Sequence, residues 1–272
     1  MPELPEVETI KRALEPDLLE HSFTEVGLLW AKSVKKPSEE EFCRLIIGSS
    51  VKAIDRRGKY LIFRLSNGLK LIIHLRMTGT LLLRKPDAEP DKYARVIFYL
   101  DDGNQLRFCD VRKLGTIYLV EDETSIIHDM GPEPMEPEFS PQILKRQIIK
   151  RTAPIKAVLC DQKAIAGIGN MYADEILHLT KIHPLKKTCE LNNLQIKQIY
   201  KAIQSVLAEA IRNQGATVSN YATPSGQAGT AQDNFKVAHR FKKPCPTCGT
   251  EIARIRVGGR GTYFCPTCQP AD

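Results

Sequence analysis

The chain has 272 residues, of which 42% are hydrophobic, and carries a formal charge of +7. That length allows a substantial core and two domains or more, and the basic excess suits a polyanionic partner. No apolar run is long enough to span a membrane and the start lacks the apolar stretch of a secretory signal, so the cytosol is the default compartment.

The first predicted element begins at Met1-Pro2-Glu3-Leu4-Pro5-Glu6. Proline is small enough for routine removal of the methionine before it, which leaves Pro2 a free secondary amine beside the Glu3 carboxylate. An α-amino group titrates near ~8, so part of it is nucleophilic at neutral pH. Attack on a sugar C1′ or a carbonyl gives an iminium that has no N–H proton to lose, an electron sink for elimination. The plainer alternative is that Pro2 and Pro5 only start a helix. That helix is predicted over residues 6–15, with Val7, Ile10 and Leu14 on one face and Pro16 ending it.

From residue 23 to 120 the sequence reads as short strands and tight turns. Residues 60–65 and 69–75 flank Ser66-Asn67-Gly68, and residues 95–100 and 105–109 flank Asp101-Asp102-Gly103-Asn104; both are hairpin signals. Residues 116–120 form a further strand. Successive strands without intervening helices argue for an antiparallel sandwich or barrel. Lys59 follows a turn glycine at a strand edge, from which its amine can enter a cleft; a solvated strand-end lysine is the alternative. His74 lies in an otherwise apolar strand, where a satisfied core histidine is the default. Met77 and the turn Asp110-Val111-Arg112-Lys113-Leu114-Gly115 offer apolar tips and an arginine of the kind a DNA-bending protein drives into the base stack. Without DNA they are plain loop residues.

Residues 131–139 are too proline-rich to continue a helix or a central strand and read as a linker. Ser140-Pro141 starts a helix as N-cap and first turn. In Gly167-Ile168-Gly169-Asn170, two glycines deliver the chain into a helix with Asn170 as the predicted N-cap, so free N–H groups and an amide converge where an anion can sit. A plain cap with no ligand is the alternative. The strongest helix is predicted over 194–212, with Ile196, Ile199, Tyr200, Ile203, Val206, Leu207, Ala210 and Ile211 on one face. Residues 217–232 are polar, rich in Gly and Ala, and read as a mobile loop.

Of the eight cysteines, Cys43, Cys109, Cys160 and Cys189 are scattered among apolar or mixed segments and read as buried free thiols. Cys245, Cys248, Cys265 and Cys268 form C-x2-C, sixteen residues, then C-x2-C. This spacing predicts one structural zinc ion with a closed set of four thiolates; disulfides are the alternative. From residue 235 to 268 there are seven Lys or Arg against the single acid Glu251. Between the cysteine pairs, basic and apolar residues alternate up to Gly258-Gly259-Arg260-Gly261, which describes a β-hairpin with Arg260 at its tip. Bare glycines there let a phosphate approach the backbone; an ordinary solvated turn arginine is the alternative.

These motifs together, namely Pro2-Glu3-Leu4-Pro5-Glu6-Val7-Glu8, Arg57-Gly58-Lys59-Tyr60, His74-Leu75-Arg76-Met77, Asp110-Val111-Arg112-Lys113, Gly167-Ile168-Gly169-Asn170, Gly258-Gly259-Arg260-Gly261-Thr262 and the cysteine pairs, resemble the bacterial formamidopyrimidine-DNA glycosylases in order and from end to end. The resemblance implies an α+β, multidomain fold: an antiparallel β-sandwich with an N-terminal helix (1–130), the linker (131–139), a helix–two-turns–helix domain with a lesion-capping loop at 217–232 (140–234), and a β-hairpin zinc finger (235–272). It implies base-excision repair on double-stranded DNA with oxidised bases or abasic sites; enclosing a duplex between two domains suits a monomer, and the lack of a spanning apolar run argues against a membrane partner. Oxidised purines (8-oxoguanine, formamidopyrimidines) are removed through a Schiff base, and the abasic strand is cut by β- and then δ-elimination. By motif match Pro2 is the nucleophile and Glu3 the proton donor. Lys59 donates a proton for β-elimination, and Arg260 serves δ-elimination and a phosphate contact. Lys59, His74, Met77, Arg112, Leu114, Asn170 and Arg260 contact DNA. An enzyme acting at C1′ inside a duplex must extrude the nucleotide.

Two positions depart from the family pattern. Leu114 replaces a usual phenylalanine, a smaller wedge, and Lys236-Val237-Ala238-His239 replaces Tyr-Val-Tyr-Gly, which puts an aromatic or hydroxyl contact from that stretch in doubt. Two alternatives stand beside the purine enzyme: an endonuclease VIII-like glycosylase for oxidised pyrimidines, and a zinc-dependent relative that binds damaged DNA without catalysis.

Overall fold

The structure, a computed structural model, describes residues 1–271. In chain order the elements are α1 (Leu4–Leu18), β1 (Phe23–Leu28), β2 (Val34–Lys36), α2 (Glu39–Ile46), β3 (Val51–Arg57), β4 (Tyr60–Leu65), β5 (Lys70–His74), β6 (Gly79–Arg84), β7 (Ala94–Leu100), β8 (Gln105–Asp110), β9 (Thr116–Val120), α3 (Thr124–Ile127), α4 (Pro141–Ile148), α5 (Ile155–Leu159), α6 (Asn170–Leu179), α7 (Asn193–Arg212), β10 (Ala253–Val257) and β11 (Arg260–Phe264). They form two compact units, one of Met1–His128 with Asn213–Thr230 and one of Asp129–Arg212 with the chain from Ala231 on.

The first unit contains two sheets, ordered β1-β7-β8-β6 and β2-β9-β5-β4-β3. Both predicted hairpins form, β4 with β5 and β7 with β8, each antiparallel. Among the paired strands of this unit, β2 and β9 run parallel, a departure from the all-antiparallel expectation, as does the isolated bridge between Leu19 and Val51. Strand β7 alternates buried and half-buried positions because one of its faces meets the core. That core joins Phe98, Phe108 and Leu81 of one sheet to Phe63, Ile73 and Ile117 of the other, with Val7, Ile10, Leu14 and Leu18 of α1 and Phe42 and Ile46 of α2. Phe98 is fully buried 5.5 Å from Phe23 and 6.4 Å from Phe42, ring centre to ring centre. Truncating such a side chain to alanine costs about 3–5 kcal/mol.

Pro16 does not end α1, as the sequence predicts, but lies inside its last turn. Its missing N–H removes one rung there, and burial of Leu14 and Leu18 keeps the turn helical. The polar segment after α7 belongs to the first unit rather than to the helical one with which it reads in the sequence. An isolated bridge between Ala216 and Thr230 closes it into a loop, and Tyr221 sinks into the core of the first unit. The Tyr221 hydroxyl donates to the Gln214 carbonyl at 2.9 Å.

In the second unit residues 131–139 hold no helix or strand, and Ser140 caps α4 by accepting the Ile143 N–H at 3.3 Å. Helix α7 starts one residue before the predicted position and buries Ile196, Ile199, Ile203, Leu207 and Ala210 of the predicted face, with Ala202 in addition. Tyr200, Val206 and Ile211 flank it half-buried. Strands β10 and β11 make the expected hairpin, Val257 pairing with Arg260 around Gly258 and Gly259. Among the described residues no helix is long and apolar enough to cross a membrane.

Candidate active site and nucleic-acid contacts

In the first unit the N-terminal residues lead directly into α1. With Met1 attached and 42% exposed, Pro2 is buried and Glu3 retains 2% exposure. Glu3 is the N-cap residue, and its backbone N–H donates to the Glu6 carboxylate at 2.7 Å. The second Glu6 oxygen accepts the Ala216 N–H at 2.8 Å, so one buried carboxylate ties the first residues to the base of the 216–230 loop. The packing there requires glycine at two positions. Gly215 has a φ of +76°, and a Cβ on it would lie 2.9 Å from Glu6; one on Gly229 would lie 2.2 Å from the Gly215 carbonyl oxygen.

Lys59 occupies the second position of a two-residue turn between Arg57 and Tyr60, after Gly58 at a φ of 55°. It is 5% exposed, which rules out the solvated strand-end alternative. His74, across from Tyr60 in β5, is likewise buried, and its Nδ1 accepts the Arg76 N–H at 2.9 Å. The Tyr60 and His74 rings meet edge to face at 4.4 Å. Burial, with the Arg76 and Lys59 charges nearby, pushes the His74 pKa down to about 3, so the imidazole is neutral.

Met77, Val111 and Leu114 are 42%, 40% and 44% exposed, apolar side chains at the tips of two loops. Their two loops share one buried hub, Asp110, at 1% exposure. Its carboxylate accepts the Arg112 N–H at 3.1 Å, the Leu114 and Gly115 N–H groups at 2.7 Å each, and the Thr78 hydroxyl. Thr78 in turn accepts the Arg112 N–H at 3.1 Å, which links the Met77 loop to the 110–115 loop. Sequence reasoning gave roles to Arg112 and Leu114 and none to Asp110 or Glu6. An acid directly before a turn is the signal for the first; for the second, an acid three residues after the N-cap signals the bond to Glu3, and nothing local signals the one to Ala216.

In the second unit Gly169, rather than Asn170, caps α6, and Asn170 is its first residue. The Asn170 Nδ2 donates to the Gly261 carbonyl at 2.8 Å and so joins the α6 start to the tip of the hairpin that carries exposed Arg260. The amide nitrogen has a second hydrogen for an anion, and the helix dipole favours negative charge at this end. Below, buried Lys156 holds both the Asn170 carbonyl and the Asp174 carboxylate. Burial pushes the Asp174 carboxyl up against the pull of Lys156.

The stretch Lys236-Val237-Ala238-His239 is held by its main chain. The buried Glu175 carboxylate accepts the Lys236, Val237 and Ala238 N–H groups at 2.9, 2.9 and 2.8 Å. The departure in side chains there leaves this anchorage intact. His239 contributes a ring of its own, 5.6 Å from that of Tyr263.

Cys245, Cys248, Cys265 and Cys268 bring all four sulfurs within 4.8 Å of one another. Zinc–sulfur bonds of about 2.3 Å give a tetrahedron with edges of about 3.8 Å. The sulfur separations of 3.4 Å (Cys248–Cys265), 3.5 Å (Cys248–Cys268) and 4.0 Å (Cys245–Cys268) match it, and the soft all-sulfur donor set fits zinc. The disulfide alternative fails, because S–S bonds are far shorter.

The model of the formamidopyrimidine-DNA glycosylase N-terminal domain matches residues 1–117, that of the helix–two-turns–helix (H2TH) domain of the same enzymes matches 130–222, and a zinc finger found in these enzymes and in isoleucyl-tRNA synthetases (FPG and IleRS) matches 242–271. The formamidopyrimidine-DNA glycosylase of Chloroflexus aurantiacus is 45% identical over 272 residues, covering 99% of this chain and 98% of the relative. That of Pelotomaculum thermopropionicum is 43% identical over 273 residues, covering 99% of each. The chain belongs to the formamidopyrimidine-DNA glycosylase family. Among solved structures, the Lactococcus lactis Fpg complex with abasic-site DNA aligns with a TM-score of 0.92, and the complex with Fapy-dG DNA with 0.91; each is 35% identical and covers 99% of this chain and 100% of that one. The family's fold is the one described here, with its β domain, helical domain and hairpin zinc finger, and within it the chain keeps the zinc-binding cysteines.

Proposed function

We propose that this chain is a bifunctional glycosylase and abasic-site lyase of base-excision repair, acting on oxidised purines in duplex DNA. The observation that carries the reading is the N-terminal Pro2-Glu3 pair, sequestered at the head of α1 in a chain whose full length aligns with named formamidopyrimidine-DNA glycosylases.

After removal of Met1, the Pro2 nitrogen attacks C1′ and the bond from C1′ to the damaged base breaks. Glu3 supplies a proton to the sugar-ring oxygen, the ring opens, and an iminium joins Pro2 to C1′. Loss of a C2′ proton expels the 3′-phosphate, with Lys59 as proton donor. Loss of a C4′ proton then expels the 5′-phosphate, with Arg260 in that role, and water frees the enzyme. Lys59, Asn170 and Arg260 hold the phosphates beside the extruded nucleotide. Met77, Arg112 and Leu114 fill the space it leaves, and His74 acts through the Arg76–Met77 turn that it anchors. The 216–230 loop covers the extruded base. The zinc ion shapes the Arg260 hairpin and takes no part in the chemistry. The protein works as a monomer in the bacterial cytoplasm and at the nucleoid.

Rates on 8-oxoguanine, formamidopyrimidine and thymine glycol duplexes test this reading. Faster excision of both oxidised purines is the expected result. Faster release of thymine glycol would place the chain with the endonuclease VIII-like enzymes, and release of none would leave a DNA-binding protein.

A further inference from the structure

Four residues from three stretches of the first unit, Trp30, Arg95, Asp110 and Lys113, link into a circuit that runs through the exposed loop carrying Arg112 and Leu114. Trp30 follows β1, and its backbone N–H donates to the Arg95 carbonyl on β7 at 2.9 Å. The Arg95 Nε donates to the Asp110 carbonyl at the end of β8 at 2.7 Å. The Asp110 carboxylate accepts the Leu114 and Gly115 N–H groups. Lys113, between Arg112 and Leu114, completes the circuit, for its ammonium sits 3.8 Å from the centre of the Trp30 ring.

The Lys113 backbone takes a φ of 56°, a conformation that residues with a Cβ rarely adopt and keep only when their surroundings impose it. Asp110 imposes it from the inner side of the loop. The indole face meets the outer side, where the ammonium would otherwise be solvated and the loop tip unsupported. An apolar tip held in shape before contact enters a base stack without a further ordering cost. Arg95 ties the Trp30 main chain to the same framework as Asp110, so the residue that carries the indole is placed relative to the loop it supports.

We propose that Trp30 and Lys113 are positioning residues for the wedge. Their cation–π contact holds the 110–115 loop in the form in which Arg112 and Leu114 enter the duplex. The inference rests on the function proposed above and adds to it a device that acts at nucleotide extrusion and not at the chemical steps.

Trp30 is the chain's single tryptophan, and its ring centre lies 3.8 Å from the Lys113 ammonium and 5.5 Å from that of Lys32, so its emission responds to loss of the nearer cation. Full-length Lys113→Met and Trp30→Leu proteins, which lose the contact, are compared with Lys113→Arg and Trp30→Phe, which keep a cation and a ring face. Two substrates are used: an 8-oxoguanine duplex, and a preformed abasic site in a single strand, where there is no stack to open. The first pair should slow single-turnover excision from the duplex about two- to five-fold while borohydride trapping on the single strand stays at the wild-type level. The second pair should retain most of the duplex rate, and Lys113→Met should alter Trp30 emission in the DNA-free protein. Duplex rates alike in all four variants, unchanged emission, or an equal loss on both substrates would overturn the brace. A wild-type protein that traps no abasic strand would overturn the underlying function instead, and the two failures are distinguishable.

Discussion

The Glu6 carboxylate accepts the Ala216 N–H at 2.8 Å across 210 residues of chain. Its other oxygen accepts the Glu3 N–H, so the base of the 216–230 loop and the residue after Pro2 share one buried anion. A loop that shifts at Ala216 therefore acts on the Pro2-Glu3 segment through a single side chain.

Glu6→Gln replaces one of those two acceptors with a donor that faces an N–H. Losing a charged acceptor in a buried site costs about 1.5–3 kcal/mol. Thermal unfolding should show lower stability, and single-turnover excision should fall more than binding to an abasic duplex. A Glu6→Gln protein with wild-type melting and wild-type excision would show that the bridge is dispensable.

The two ends of the histidine range can be read in one NMR titration. His74 is buried and its pKa lies at about 3, so its ring signals should stay flat from pH 8 to pH 5. An unfolded chain takes up that proton near pH ~6.5, so His74 makes the fold lose stability as the pH falls below that value. His21 goes the other way. Its hydrogen bond to Asp101, at 2.7 Å, raises its pKa and lowers that of Asp101. The raised His21 contributes stability that is complete below about pH 6.5 and is lost as the pH rises through its folded value. The lowered Asp101 contributes stability above about pH 4 that is lost on acidification. The pair is thus strongest between those limits. A His74 ring that titrates near pH 6.5, or a His21 that titrates below it, would contradict these assignments.

Arg260→Ala should weaken binding to damaged and undamaged duplex by the same factor and reduce the salt slope of log K by about 1, since one phosphate contact is lost. Binding isotherms at several salt concentrations measure both. A loss confined to damaged DNA would mean that Arg260 reads the lesion and not a phosphate.

Serine in place of any one of Cys245, Cys248, Cys265 or Cys268 should lower the zinc content below one per chain and unfold the β10–β11 hairpin, since such small modules depend on their metal. Metal analysis together with amide exchange over 245–268 checks this. A full zinc complement in all four variants would remove the metal from that role.

Much of the fold was legible because its signals are local. Ser66-Asn67-Gly68, the apolar period of α7, Ser140 before Pro141 and the paired C-x2-C motifs each act over a few residues, and each gave the element found. Pro16 misled because a proline stop is a local rule, whereas the turn it sits in is held by the burial of Leu18. The partners of buried anions were not legible. Glu6 meets Ala216, and Glu175 meets Lys236, Val237 and Ala238, through backbone amides, which carry no residue signature and lie far along the chain. The Trp30–Lys113 contact is hidden for the same reason, because it joins two loops distant in sequence.

Borohydride reduction during turnover on an abasic duplex, followed by peptide mapping of the protein–DNA adduct, tests the account at its centre. The adduct should lie on the Pro2 nitrogen of a chain that has lost Met1. An adduct mapped to Lys59 or another lysine, or a cleaving enzyme that still carries Met1, would contradict it.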